Sequence, residues 1–411
     1  MRAYSESSQE AVRARDLLKD WAGEGFITAE QYAQMEQETA CDLRRTNIFL
    51  RIVLFLFTLV IAGAAAGLFF TVFLSRSSEH TTGVFLAFAV FSYAAAELAV
   101  SQFHLYRYGI EEALAVCSVA FLWVGIYTGV FGSQLFFSTK TQGAEFLVPA
   151  AGAILSLWIW HRFGFHYAFL AAMIFLVRLP GYWTSSHAAQ HVIVAALYLL
   201  GLIAVVAVRP RHRLTYLNTT YSVTEGLLWL GIYLTINLQL SSLDLAGRWL
   251  GDLWPGGMGG GTSAGSEFSK PFYWATFVLI WCWPPIVLAR GLRLKDRFVI
   301  AAGALAACLT LVTNKPYLGW QRHTWDPMLF GVVLMAVALF IRRWLARGPE
   351  KIRQGFTARR LSGKDKLWMD AGIASVGLAA PNIITPSPQP GSADVHFGGG
   401  SSGGGGASSD F

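Results

Sequence analysis

The chain has 411 residues, of which 54% are hydrophobic and 14% charged, and its mean hydropathy is +0.45. That is too apolar for one or two soluble domains and suits a chain that crosses a membrane several times. The net charge of +7 does not indicate nucleic acid, because the basic residues lie in short connections and a tail, not on a folded basic face interleaved with aromatics.

Cys41, Cys117, Cys282 and Cys308 are widely spaced, and three fall in apolar runs. Neither a metal knuckle nor a disulfide framework follows from such spacing. The chain begins with a polar element that carries helix punctuation. Ala14, Leu17, Leu18 and Trp21 recur at helical spacing, and Gly25 supplies the left-handed residue that ends a helix. A second helix follows at once. Thr28 with Gln31 three residues later forms a capping box, and Ile27 before the cap is placed to pack on Tyr32 as a hydrophobic staple. Residues 8–45 therefore predict a helical hairpin whose second helix runs toward the first apolar stretch. That stretch starts near residue 48 behind charged residues, so a cleaved signal peptide is not expected and the first span itself directs insertion.

The segment DLLKDWAGEGFITAEQYAQM, followed by a multi-span bundle, resembles a family of bacterial membrane proteins, domain-of-unknown-function family 2157. Trp21, Glu24, Gly25, Ile27, Glu30 and Gln31 carry the likeness over about 40 residues, and LYRYGIEEALA further on is similar in character. The resemblance implies a bacterial inner-membrane location and lends no catalytic residues.

A helix needs roughly 20 apolar residues to cross the hydrocarbon core. Ten stretches approach that length: 48–74, 83–102, 111–131, 144–161, 165–180, 188–208, 218–240, 271–289, 298–313 and 328–345, the fifth and ninth being short. No alternating pattern suggests a barrel, so these are expected to be helices with internally satisfied backbones. With the N-terminus inside, 24 Lys and Arg fall in inner segments against seven in outer ones, which predicts both termini in the cytoplasm.

Ionisable residues inside such a bundle are costly and are functional candidates by default. Glu97 shares a helical face with Tyr93, Ser101 and His104. This stripe reads either as a proton or cation relay or as a structural carboxylate paired with Arg51, Arg107 or a tyrosine hydroxyl. Glu225 shares a face with Asn218 and Ser222, and its depth depends on where that helix starts. Glu111 and Glu112 open a helix, where carboxylates complement the dipole. Arg178, His161 and His166 read as interfacial. His187 and His191 lie one turn apart, but no third metal ligand accompanies them.

Zinc-hydrolase, nucleophile-elbow and phosphate-loop motifs do not occur. GGMGGGTSAG at 256–265 lacks the lysine of a phosphate loop and reads as a flexible external loop, and Pro284 with Pro285 predicts a kink. Residues 342–366 hold nine basic residues suited to anionic lipid at an inner leaflet. From Pro381 to Phe411 the chain is expected to be disordered, with a reach of about 30 Å that would let Phe397 and Phe411 engage a partner.

These readings combine into an all-α, polytopic transmembrane helix bundle of about ten spans. Its expected parts are a hairpin over 1–47, the bundle over 48–345, a basic segment over 346–380 and a disordered tail over 381–411. The expected function is interaction with an unknown cytoplasmic protein as a scaffold, assembly factor or regulator, through Trp21, Ile27, Phe397 and Phe411, without enzyme activity, cofactor, metal or nucleic acid. The alternative is a secondary transporter or channel using Glu97, Ser101, His104 and Glu225.

Overall fold

The structure is a computed structural model that describes residues 3–23, 25–39, 41–74, 81–131, 144–212, 215–240, 268–318 and 326–347, with the pairs 352–353 and 356–357. The described residues form twelve α-helices: α1 (Glu6–Gly23), α2 (Ala29–Glu38), α3 (Ile48–Phe69), α4 (Thr81–Ser101), α5 (Ile110–Phe131), α6 (Leu147–Phe163), α7 (His166–Arg178), α8 (His187–Val208), α9 (Leu217–Ile236), α10 (Lys270–Leu294), α11 (Arg297–Tyr317) and α12 (Asp326–Ala346). Two compact units divide the chain, 1–341 and 342–411. In the second, Ile352–Arg353 and Phe356–Thr357 pair as a minimal antiparallel hairpin.

Local chemistry accounts for the leading hairpin. The Ser5 hydroxyl accepts from the Ser8 amide at the start of α1. At its end Gly25 adopts φ +77, and the amides of Gly25 and Phe26 close back on the carbonyls of Ala22 and Trp21, a glycine-terminated helix end of the Schellman type. The α2 cap is reciprocal. The Gln31 amide donates to Thr28 Oγ1 at 3.2 Å and the Thr28 amide donates to Gln31 Oε1 at 3.0 Å. Arg15 to Glu36 at 2.7 Å ties the two helices together, and both partners are too exposed for this pair to contribute much.

All ten apolar stretches are helical. Among the described residues six helices are long and apolar enough to cross a membrane: α3, α4, α5, α8, α10 and α11, an arrangement that fits a membrane protein. The ninth stretch, expected to be short, extends over Arg297–Tyr317 because the helix continues past residue 313 through Asn314 and Lys315 to Tyr317. α6 and α7 are shorter, with 17 and 13 residues, and a 3₁₀ turn over Leu179–Tyr182 prolongs α7. α3 ends in a π-helical turn over Phe70–Leu74. α10 continues through Pro284 and Pro285.

Packing follows chain order around two central helices. α5 contacts α3, α4 and α6, whereas α9 contacts α7, α8, α10 and α11. Glycines permit the closest approaches. A side chain at Gly152 would overlap the Phe175 ring between α6 and α7, and Gly109, at φ +106, brings the start of α5 against the backbone of Arg51. α9 buries Thr220, Ser222, Thr224, Glu225 and Thr235 along with Leu228, Ile232 and Tyr233. That polar content fits a helix surrounded by protein, where side chains find partners.

Ala3 and Tyr4 are part of the bundle. The Ala3 amide donates to the Arg162 carbonyl at 2.9 Å, and Tyr4 is buried with Val100, Phe163 and Phe165. Arg44 pairs with the α4–α5 connection through two backbone bonds, its amide donating to His104 O and its carbonyl accepting from Tyr106. Tyr106 meets Tyr4 edge-on at 5.0 Å.

Candidate functional site

Among the described residues, the ion pairs Arg51–Glu112, Arg162–Glu97, Arg209–Glu225, Arg209–Asp296 and Arg290–Glu225 lie at one end of the bundle. α3 and α5 begin at that end, α4 and α6 finish there, and the Trp160–Tyr221 ring contact links it to the start of α9. Two groups form. In the first, Arg51 holds Glu112 through two bonds, its Nε donating to Oε2 at 2.8 Å, and Arg162 holds Glu97, its Nε donating to Oε2 at 3.3 Å. The expected partners of Glu97, Arg51 and Arg107, are thus corrected: Arg51 is committed to Glu112, and Arg107 lies over the Tyr106 ring at 5.6 Å. The Tyr93 hydroxyl accepts from Trp158 Nε1 at 2.7 Å.

The polar stripe expected on α4 is shorter in the structure. Ser101 is exposed at the last turn, and His104 lies beyond the helix with φ +53, so His104 does not continue the face of Glu97. Its Nδ1 is 3.2 Å from Gln102 O.

Glu225 anchors the second group. Its side chain is fully buried, and Arg209 Nη1 and Arg290 Nε each donate to it at 2.6 Å. Arg209 also contacts Asp296, in the connection between α10 and α11. The Ser222 hydroxyl donates to Asp296 at 2.6 Å, and the Phe298 amide donates to its Oδ1 at 2.9 Å, so Asp296 also caps α11. Burial raises the Asp296 carboxyl, but the Ser222 hydroxyl and the Arg209 guanidinium outweigh it and hold the group below the ordinary aspartate value. Two acids and two arginines alternate here across four elements, which satisfies the condition under which buried charge is tolerated.

Neither Asp296 nor the bridging role of Arg209 and Arg290 was anticipated from sequence, where these arginines counted only as inner-loop charge. The signal was the one acid in RGLRLKDRF, set against Ser222 and Glu225 on one face of α9. No protein family, curated protein or solved structure matches this chain.

Glu111 and Glu112 open α5 as expected, but both are buried, and only Glu112 has an arginine partner. Glu111 Oε1 accepts from the Tyr108 amide at 2.7 Å, while its Oε2 has no partner among the described residues. Arg178 and His161 are exposed. His166 differs from the interfacial expectation, because its Nδ1 is buried without a partner among the described residues. His187 is exposed, whereas His191 Nδ1 contacts Thr235 O at 2.7 Å. Among the described residues no three His, Cys, Asp or Glu gather as a metal site.

At the opposite end of the bundle, Asn237 Nδ2 donates to Tyr233 Oη and Thr313 Oγ1, both at 2.9 Å. Tyr233 Oη is 2.9 Å from Thr310 Oγ1, and Tyr317 Oη accepts from the Leu238 amide at 2.7 Å. These polar atoms satisfy one another and act as a lock between α9 and α11.

On the leading hairpin, Trp21 is 47% and Phe26 73% exposed, with Leu17 and Met35 also exposed. Ile27 is partly buried. Phe397, Phe411 and the 256–265 glycine stretch lie outside the described residues, as does most of 342–366.

Proposed function

We propose that this protein is a multi-pass component of a bacterial inner membrane, with about ten spans and both termini in the cytoplasm, that acts by interaction as a scaffold, assembly factor or regulator. The observation that carries this reading is the apolar surface of the hairpin. Leu17, Trp21, Phe26 and Met35 are exposed on a polar element outside the spans, and exposed apolar clusters of this kind mark contact surfaces. The basic residues of 342–366 would hold the chain after α12 to anionic lipid, and Phe397 and Phe411 would extend the reach for the same partner. The likeness of the hairpin to the bacterial family supports the location.

The competing transporter reading uses Glu97 and Glu225. It requires those carboxylates to leave Arg162, and Arg209 with Arg290, in every cycle, and such separations are costly in a low-dielectric interior. Proximity labelling in native membranes tests the proposal. Trp21→Ala with Phe26→Ala, and separately removal of residues 397–411, should deplete an overlapping set of neighbours. If both leave the labelled set unchanged while Glu97→Gln abolishes proton-coupled flux into vesicles, the transporter reading replaces this one.

A further inference from the structure

At the charged end of the bundle a cavity of about 380 Å³ opens between the last turns of α8 and α10 and the first turns of α9 and α11. Arg209, Arg290, Lys295, Arg297, Asn218 and Ser222 line it, with Asp296 at its wall. The charges do not cancel. Glu225 and Asp296 neutralise Arg209 and Arg290, whereas Lys295 and Arg297 form no ion pair among the described residues, and both are exposed at the mouth. Lys295 is fixed there because it ends α10 in the left-handed conformation, φ +53.

Two further observations point to a ligand. Asn218 contributes a buried amide oxygen that has no partner among the described residues, and which amide atom faces the cavity depends on how the group is flipped. α9 also begins beside this cavity with no side chain capping it, the Asn218 amide donating to the Thr215 carbonyl at 3.1 Å, and the positive end of its dipole adds to the basic character of the site. Val206, Leu294 and Phe298 form an apolar part of the lining. A basic pocket with an apolar flank, between helices of a membrane bundle, is suited to a phosphate group that carries an acyl chain.

We propose that this pocket binds a phosphate-bearing anion, with Lys295 and Arg297 supplying the charge and Asn218 an orienting hydrogen bond. The group could belong to a lipid headgroup or to a soluble phosphate, and two arms of one experiment separate these sources. The full chain is purified in neutral detergent. In one arm, native mass spectrometry measures retention of phosphatidylglycerol against phosphatidylcholine. In the other, thermal unfolding is followed with rising inorganic phosphate at constant ionic strength.

Wild type should hold the anionic lipid, and Lys295→Ala with Arg297→Ala should weaken retention about 25-fold, each surface cation being equivalent to about fivefold. Asn218→Leu, which leaves every ion pair in place, should also weaken it. Stabilisation by phosphate with no lipid preference would assign the site to a soluble anion. The proposal is overturned if neither ligand binds, or if both variants, eluting as wild type does on gel filtration, bind as wild type does.

Discussion

Arg209 bridges two acids at once, which makes its removal the most informative perturbation. In Arg209→Met the fully buried Glu225 keeps Arg290, but Asp296 is left with only the Ser222 hydroxyl and backbone amides. Arg209 is 14% exposed, so water compensates poorly. Breaking a buried pair by deleting one partner costs about 3–5 kcal/mol. Glu225→Gln is milder. Arg209 then retains Asp296, Arg290 is 32% exposed and can hydrate, and the loss should be about 1–3 kcal/mol. Arg209→Met combined with Asp296→Asn removes one charge of each sign and leaves the Glu225–Arg290 pair neutral. It should be more stable than the sum of its parts by about 1–3 kcal/mol. Reversible unfolding by SDS in mixed micelles, read by far-ultraviolet circular dichroism, measures wild type, these three variants and Asp296→Asn alone. A loss below about 1 kcal/mol for Arg209→Met, or strict additivity in the double variant, would refute a coupled buried network.

Further expectations concern single residues. The Asp296 carboxyl titrates below its unfolded value, so its contribution is complete above the unfolded value and disappears as pH falls through the depressed one. Asp296→Asn should flatten the stability profile over that acidic range, and an unchanged profile would count against the assignment. Gly109→Ala places a side chain on the Arg51 carbonyl and 3.1 Å from the Phe55 amide, at φ +106. Neither backbone group can yield, so unfolding should shift by at least about 2 kcal/mol, whereas an ordinary surface change stays within about 0.5 kcal/mol. Thr28→Ala removes the cap of α2 and should cost about 1 kcal/mol, seen as roughly fivefold faster amide exchange in its first turn with α1 unaffected.

What could be read from sequence was local. The capping box at Thr28 and Gln31, the left-handed Gly25 and the apolar lengths of α3 to α12 depend on residues within one or a few turns of each other. Partner choice is not local. Glu97 meets Arg162 and Glu225 meets Arg290, each 65 positions away, and nothing in the spacing of either helix distinguishes those arginines from Arg51 or Arg107. The stripe on α4 was overextended because SQFHLYR contains neither glycine nor proline, yet the chain turns at His104 and Arg107, both at positive φ. Those two residues adopt an uncommon conformation so that residues 104–106 can pair with Arg44. The demand comes from a segment 60 residues upstream.

The docking of Tyr4 and Ala3 has a consequence for biogenesis. Their seat is built from Val100, Arg162, Phe163 and Phe165, residues translated long after the head has left the ribosome. The head therefore has to wait undocked until the sixth helix is in place, and its capture then reports that the front half of the molecule was threaded in the right order.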